Sequence, residues 1–441
     1  MKRTIQGVFW ITVYLLITLA PLFILLAGPR PAGRELWRDL SVGLAFCGLS
    51  MMGMQFILTA RFRVLKAPYG SDIVYFFHRQ ISFVIIILIA AHPILLFIFE
   101  PTYVGLLNLL TAPWAARFGV SALVLMIALI FLSVWRKKLK LEYDRWRVWH
   151  GIISILVMIF ALIHVEMRGY YLNTTWKQLF WGVFTLFWVG ILVWVRLIKP
   201  YILLRKPYKI LSVKEERGNA WTITLQPQGH TGLKFSPGQF AWITAFGSPF
   251  RDHEHPFSFS GSAANTGDLS FTIKSLGDFT SRIKELTPGQ RVFVDGPYGA
   301  FSVDRHPSAR KFVFIAGGIG ITPMMSMLRT LADRQDARPL TLIYANKTQE
   351  SATFFEEIEE IKNRLNLHVV HVLESPPEDW KGEKGFITNR ILEENLPDDR
   401  TPNAFEVFIC GPGPMMDAVE NMLKTLNIPL GDFHSERFDM V

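Results

Sequence analysis

The sequence predicts a multidomain membrane protein. An all-α six-helix transmembrane bundle (1–200) comes first, followed by an antiparallel β-barrel domain (206–305) and an α/β doubly wound domain (306–441). Three observations predict it. Of 441 residues, 50% are hydrophobic and only 19% are charged, and the apolar share is concentrated before about residue 200. Within that half, apolar runs near the ~20 residues that cross a bilayer recur six times. Beyond Pro200, short β-rich runs between turn residues give way near residue 308 to strand–helix alternation.

The spans are expected at 7–27, 40–60, 73–99, 119–136, 148–167 and 176–198. The run Gly7–Ala27 is too long for a usual signal-peptide core, and Gly28-Pro29-Arg30-Pro31 reads as a span end. Basic residues set the orientation. Lys2 and Arg3 precede the first span, and Arg61, Arg63 and Lys66 follow the second. Arg136, Lys137, Lys138, Lys140, Arg145 and Arg147 fill the loop between spans four and five, and Arg196, Lys199, Arg205 and Lys206 follow the sixth. The positive-inside rule then puts both termini in the cytoplasm. The net charge of +9 is read as this topology signal and not as nucleic-acid binding. The outer loops, 28–39, 100–118 and 168–175, are short, so no large external domain is expected. Trp114, Arg117, Glu166, Arg168 and Tyr170 lie near that level, either lining an acceptor pocket or anchoring the interface. The two cysteines, Cys47 and Cys410, fall in different domains and form no metal motif.

The third span carries His78 and His92, and the fifth carries His150 and His164. Each pair is fourteen positions apart, which on a helix returns close to the same face about 21 Å further on. Both spans run from inside to outside, so His78 and His150 share the inner level and His92 and His164 the outer one. Two stacked bis-imidazole sites suit haem, whose iron takes two axial nitrogens and whose ring tolerates lipid depth. The competing reading is interhelical hydrogen bonding or a proton or metal-ion path. Gly151, Ala90 and Ala91 leave room for a flat ring. Pro93 either kinks the span at the outer site or is an ordinary membrane-helix proline. Arg79 either meets a haem propionate or snorkels.

In the second half, strands are expected at 208–213, 221–226, 239–245, 269–275 and 290–296, with turns at Arg217-Gly218-Asn219, Ser236-Pro237-Gly238, Asn265-Thr266-Gly267 and Pro288-Gly289. Then come strands at 311–316, 340–345, 367–373 and 406–411, with helices at 322–334, 352–364 and 414–426. The loop Gly317-Gly318-Ile319-Gly320-Ile321-Thr322-Pro323 follows a strand and opens a helix, so its backbone can approach a pyrophosphate. Its spacing is not G-x-G-x-x-G. Cys410-Gly411-Pro412 ends a later strand on the same carboxyl edge, where ligands of such sheets bind.

With these motifs the second half resembles the ferredoxin–NADP reductase superfamily, and the whole chain resembles bacterial members of the NADPH oxidase/ferric reductase family. Besides the paired histidines and the two loops, the resemblance rests on His255-Pro256-Phe257-Ser258-Phe259-Ser260, Gly277-Asp278-Phe279-Thr280, Asp295-Gly296-Pro297-Tyr298-Gly299 and His434-Ser435-Glu436-Arg437-Phe438. It implies that His255, Pro256, Phe257 and Ser258 belong to the FAD site, that Gly277 and Thr280 meet the FAD pyrophosphate, and that Lys274 is a cofactor-binding residue. It implies that Gly317, Gly318, Gly320, Thr322, Pro323, Gly411 and Pro412 hold the nicotinamide dinucleotide, with Cys410 near its ring. It matches Phe438 to the aromatic that covers the flavin; three residues, Asp439-Met440-Val441, follow it here. Lys347 is the cation for a 2′-phosphate, favouring NADPH with NADH open.

The implied activity is electron transfer from NADPH through FAD and two b-type haems to an outer acceptor, dioxygen giving superoxide, across a bacterial inner membrane. Cys410 and Phe438 are its expected catalytic residues. The alternatives are a ferric-chelate reductase, an electron-supply subunit for a periplasmic partner, and, in a different class, a proton or metal transporter with a flavin-dependent regulatory domain.

Overall fold

The structure, a computed structural model, describes residues 2–27, 35–62, 71–167, 171–172, 174–251, 254–265, 267–399, 401 and 404–438, without the side chains at 2–4, 71–73 and 144. Gly28–Pro31, Arg63, Lys66, Arg168, Tyr170, Thr266 and Asp439–Val441, used above, lie outside the described residues. The chain divides near Pro200 into two compact units.

The first unit holds helices α1 (Lys2–Leu26), α2 (Leu36–Thr59), α3 (Ser71–Phe99), α4 (Trp114–Val134), α5 (Tyr143–Glu166) and α6 (Thr175–Val193), the last continuing through a π-turn (Trp194–Ile198) into α7 (Lys199–Leu204). Among the described residues, six helices are long and apolar enough to span a membrane. Their outward faces are bare: Leu186 is 70% and Ile87 67% exposed, while Trp181 and Trp188 are 1% exposed. A hydrocarbon surround makes that pattern favourable. A short 3-10 helix, Pro101–Leu107, which sequence periodicity does not reveal, caps the end of α3. α3 runs through Pro93 without a break.

α2 and α3 run antiparallel. Trp37 stacks on Phe99 at 5.1 Å, and Gly48 lies against Leu88 and Ile89, leaving no space for a Cβ. Met51 and Met52 belong to the same cluster as Ile81, Ile85, Met126 and Val157. α4 and α5 are likewise antiparallel, with Gly119 against His164 and Ser133 against His150.

The second unit opens with β1 (Tyr208–Glu216), β2 (Ala220–Pro227), β3 (Phe240–Thr244), β4 (His255–Ser258), β5 (Leu269–Lys274) and β6 (Arg291–Tyr298), in the order β4-β3-β6-β1-β2-β5. Every pair is antiparallel. The two edge strands also meet, through a bridge between Phe259 and Phe271 and the Ser260 amide donating to the Ser270 carbonyl at 2.8 Å. The sheet thereby turns back on itself around Ile223, Leu225, Phe259 and Phe271. A four-residue helix, α8 (Asp278–Ser281), follows β5.

A parallel sheet comes next: β7 (Phe312–Gly317), β8 (Leu340–Asn346), β9 (Leu367–Leu373), β10 (Glu383–Lys384), β11 (Glu406–Cys410) and β12 (Phe433–Glu436), ordered β10-β9-β8-β7-β11-β12. Helices cover both faces, α9 (Ile321–Asp333) and α10 (Phe355–Ile361) on one, α11 (Asn389–Asn395) and α12 (Gly413–Thr425) on the other. The strands alternate accordingly: Phe312, Phe314, Phe408 and Cys410 face α9, while Val313, Ile315, Val407 and Ile409 face α12. α10 is shorter than the expected 352–364 because Phe354 takes a left-handed conformation just before it (φ 63°).

Candidate functional site

Two constellations stand out, one in each unit. In the first unit the four histidines meet in two pairs. The His78 and His150 rings have centroids 6.4 Å apart at an interplanar angle of 65°, and His92 and His164 show the same 6.4 Å and 65°. A first-row metal–imidazole bond is about 2.0 Å and a ring nitrogen lies about 1.1 Å from its centre, so two imidazoles on opposite sides of one ion stand roughly 6.2 Å apart. Both pairs have that spacing.

The other ring nitrogens fix the tautomers. His164 Nδ1 lies 2.7 Å from the Ala115 carbonyl, which can only accept, so Nδ1 carries the proton. Ser41 Oγ lies 3.0 Å from the His92 carbonyl, to which it donates, and 2.8 Å from His92 Nδ1, from which it therefore accepts. Ser133 donates to the Leu129 carbonyl at 2.7 Å and accepts from His150 Nδ1 at 3.2 Å. In each case Nε2 is left with the lone pair, the arrangement a metal-bound histidine shows. His78 Nδ1 is buried and has no hydrogen-bond partner among the described residues. Beside His150 a recess of ≈ 360 Å³ is lined by Leu129, Leu132, Leu141, Trp146, Trp149 and Ile153, with Arg145 at its edge.

One expectation needs correcting. The room at Gly151 is taken by the Arg196 guanidinium, which a Cβ there would strike. At the outer level Gly119 makes the space, since a Cβ would come within 2.8 Å of His164 Nδ1. Arg117 donates to the Leu110 and Ala112 carbonyls (2.8 and 2.7 Å) and stacks on Trp114, so it ties its own loop. Glu166 accepts from Thr185. Arg79 is exposed.

In the second unit the His255–Ser258 strand and the Gly277–Thr280 turn come together. The His255 ring stacks on Phe279 at 4.0 Å, and Phe257 lies parallel to Phe279 at 6.0 Å. Pro256 pairs with Trp242, and Lys274 ends β5 opposite Ala220. Ser258 is 5% exposed, and its Oγ has no partner among the described residues. Thr280 Oγ1 accepts from the Leu276 and Gly277 amides, both at 2.9 Å, and so caps its own short helix.

β7 is the strand at which the sheet order reverses. The chain leaves it toward β8 on one side and later returns to β11 on the other. The loops after β7 and β11 flank the crevice this creates, the site such sheets use for ligands. They are in backbone contact, because a Cβ at Gly320 would collide with the Cys410 carbonyl, and one at Gly411 would come within 3.0 Å of the Gly317 amide. Gly318 holds φ 53°, and its carbonyl accepts from the buried Tyr344 hydroxyl at 3.2 Å. Thr322 donates to the Ile319 carbonyl at 2.8 Å, and Pro323 is buried in the first turn of α9. Pro412 precedes α12 and packs on Gly317. Lys347 is exposed at the end of β8.

Cys410 is fully buried; burial, and then the nearby Glu436, push its thiol well above the ordinary range. Glu436 is the residue the sequence reading passed over. β12 runs beside β11 and pairs Glu436 with Cys410, and Glu436 Oε1 reaches Gly299 at the end of the barrel. Its signal was its place in the tail motif, two residues before Phe438. Arg437 bonds Asp417 and Glu420 of α12 (2.7 and 3.1 Å), which anchors the tail and leaves Phe438 39% exposed.

Comparison with known proteins agrees with this division. Residues 44–162 match the ferric reductase like transmembrane component family, residues 205–302 an FAD-binding domain family, and residues 314–421 the oxidoreductase NAD-binding domain family. An NADH-cytochrome b5 reductase 2 of Pyricularia oryzae is 35% identical over 160 residues, covering 35% of this chain and 47% of that protein. A glycine betaine monooxygenase reductase subunit of Chromohalobacter salexigens is 31% identical over 216 residues, covering 46% and 56%. The chain thus spans about half the length of the curated relatives it matches. Among solved structures, the ferredoxin reductase in carbazole 1,9a-dioxygenase aligns with a TM-score of 0.46 at 25% identity, over 53% of this chain and 69% of that one. The three family matches place a ferric reductase-like transmembrane component ahead of FAD-binding and NAD-binding modules in one chain.

Proposed function

We propose that the protein carries electrons across a membrane, from NAD(P)H through FAD and two b-type haems to an acceptor on the far side. The observation that carries this is the duplicated histidine geometry: two pairs, each at 6.4 Å and 65°. The groups would supply hydride acceptance at the flavin and one-electron exchange at each iron.

His78 with His150 would hold one haem and His92 with His164 the other, through Nε2, while Ser133, Ser41 and the Ala115 carbonyl hold Nδ1 of His150, His92 and His164. His255, Pro256, Phe257, Ser258, Lys274, Gly277 and Thr280 would form the flavin site. Gly317, Gly318, Gly320, Thr322, Pro323, Gly411 and Pro412 would hold the dinucleotide at the crevice between β7 and β11. Cys410 and Glu436 would border its nicotinamide, and Phe438, half-exposed at the tail, would cover the flavin. Lys347 supports NADPH as the donor, because an exposed cation at the second strand end suits a 2′-phosphate; NADH is the alternative.

Two imidazoles holding each haem would favour an acceptor that needs no coordination site. Dioxygen, giving superoxide, is the first reading, in a bacterial inner membrane with both termini cytoplasmic. A ferric chelate is the second, favoured by the ferric reductase-like match of residues 44–162.

The test uses the purified full chain under anaerobic conditions. NADPH should shift the Soret band of two haems per chain. Air or a ferric chelate is then admitted, and the one that restores the oxidised spectrum faster is the acceptor. A preparation that contains flavin but never retains haem would overturn the proposal.

A further inference from the structure

The neighbours of the four histidines repeat with the histidines' own spacing. On α4, Gly119 and Ser133 are fourteen positions apart and lie against His164 and His150, which are also fourteen apart. On α2, Ser41 bonds His92. Fourteen positions further along α2 stands Gln55, and fourteen positions before His92 on α3 stands His78. The antiparallel contacts of the two helices, Trp37 on Phe99, Ser41 on His92, Gly48 on Ile89 and Met51 and Met52 near Ile81 and Ile85, lead one turn later to the level of His78.

Both groups at that level are orphans. Gln55 is 8% exposed, yet neither its amide nitrogen nor its oxygen has a hydrogen-bond partner among the described residues, and the same holds for His78 Nδ1. A buried amide or imidazole N–H without a partner is destabilising, because nothing replaces the hydrogen bond it made to water. Here an acceptor and a donor of that kind occupy the places where, at the outer level, Ser41 and His92 have made their bond.

We infer that Gln55 is the positioning residue of His78. Its side-chain carbonyl accepts the His78 Nδ1–H, by rotation of the amide or through one bridging water, and so keeps Nε2 turned to the metal. The inference rests on the haem reading above. It makes the transmembrane site a two-storey repeat on four helices, with each level supported from α2 and α4.

The test compares Gln55→Met, Gln55→Glu and Ser41→Ala in the full chain, by haem content, redox titration and electron paramagnetic resonance. Methionine keeps the volume and removes the acceptor. It should weaken retention of one haem by about 10–100-fold or raise its midpoint potential, because a less basic imidazole stabilises oxidised iron less. Glutamate should move the same haem's potential the opposite way, and Ser41→Ala should move the other haem alone. Wild-type haem content, potentials and spectra in both Gln55 variants would overturn the inference. Should the methionine variant not fold, the direction of the glutamate shift decides. Failure of the haem reading looks different: wild-type protein without haem, or His78→Ala protein that keeps both.

Discussion

Glu406 sits between two imidazoles. Its Oε1 is 2.9 Å from His306 Nδ1 and its Oε2 is 2.7 Å from His434 Nε2, and the two rings stand 4.2 Å apart. The three groups place ligand-type atoms within 4.8 Å of one another. Each carboxylate oxygen already receives one N–H, so the cluster is satisfied by hydrogen bonds and needs no ion. Its work is to fasten β12, and with it Glu436 and Phe438, to β11 and to the segment that follows the barrel. Burial pushes the Glu406 carboxyl up, but the bonds from His306 and His434 outweigh burial and hold it at about 2 against an ordinary 4.5. A depressed carboxylate contributes stability that is present above its unfolded value and lost as the pH falls from 4.5 through about 2. The contribution is on the order of 3 kcal/mol. Glu406→Gln should therefore lower the unfolding temperature of the full chain at neutral pH, and the difference from wild type should shrink below pH 4.5. Melting curves across that range check it; a difference that grows on acidification would contradict the assignment.

The β7 and β11 loops form a single construction, because parallel neighbours end together and release their chains into the same crevice. The close approach of the Gly320 Cα to the Cys410 carbonyl is its tightest point. Gly320→Ala forces the loops apart, at a cost of about 1–3 kcal/mol for overpacking. The nicotinamide nucleotide should then bind at least tenfold more weakly while flavin content is unchanged, since His255–Ser258 and Gly277–Thr280 are remote in the chain and built on the barrel. Steady-state KM for NADPH and flavin stoichiometry give the two readings; equal loss of both would place Gly320 in the packing of the whole unit. This crevice was legible in the sequence because glycines after apolar strands announce it, just as span length announced α1 to α6 and equal spacing announced the histidine pairs. What was not legible depends on partners distant in the chain. Phe433–Glu436 has no strand-like alternation and is a strand only because β11 pairs with it. Nothing local marks Asn389–Asn395 as a helix beyond its Thr388 cap. Ser41, Ser133 and Gly119 look like ordinary small residues of membrane helices until α3 and α5 are laid beside them, and Gly151 suggested space that Arg196 fills.

The two units hold different halves of the proposed reaction, and the division can be tested by cutting the path between them and the acceptor. On that proposal, nucleotide oxidation needs only the second unit's crevice and barrel. Export needs both histidine levels, because one level alone leaves a gap on the order of 20 Å along the helix axis, the rise of fourteen residues. His92→Ala removes one outer ligand and leaves His78, His150 and the entire second unit intact. In sealed proteoliposomes with NADPH on the side of the second unit, the variant should still reduce a soluble dye on that side at the wild-type rate. Reduction of an impermeant acceptor on the opposite side should fall to background, and haem content should fall from two to one per chain. The comparison separates a folding defect from a broken path, because a misfolded chain loses the same-side activity as well. Wild-type reduction on the far side, with one haem missing, would mean that electrons leave by some route other than the outer pair, and the stacked arrangement would then have no part in transport.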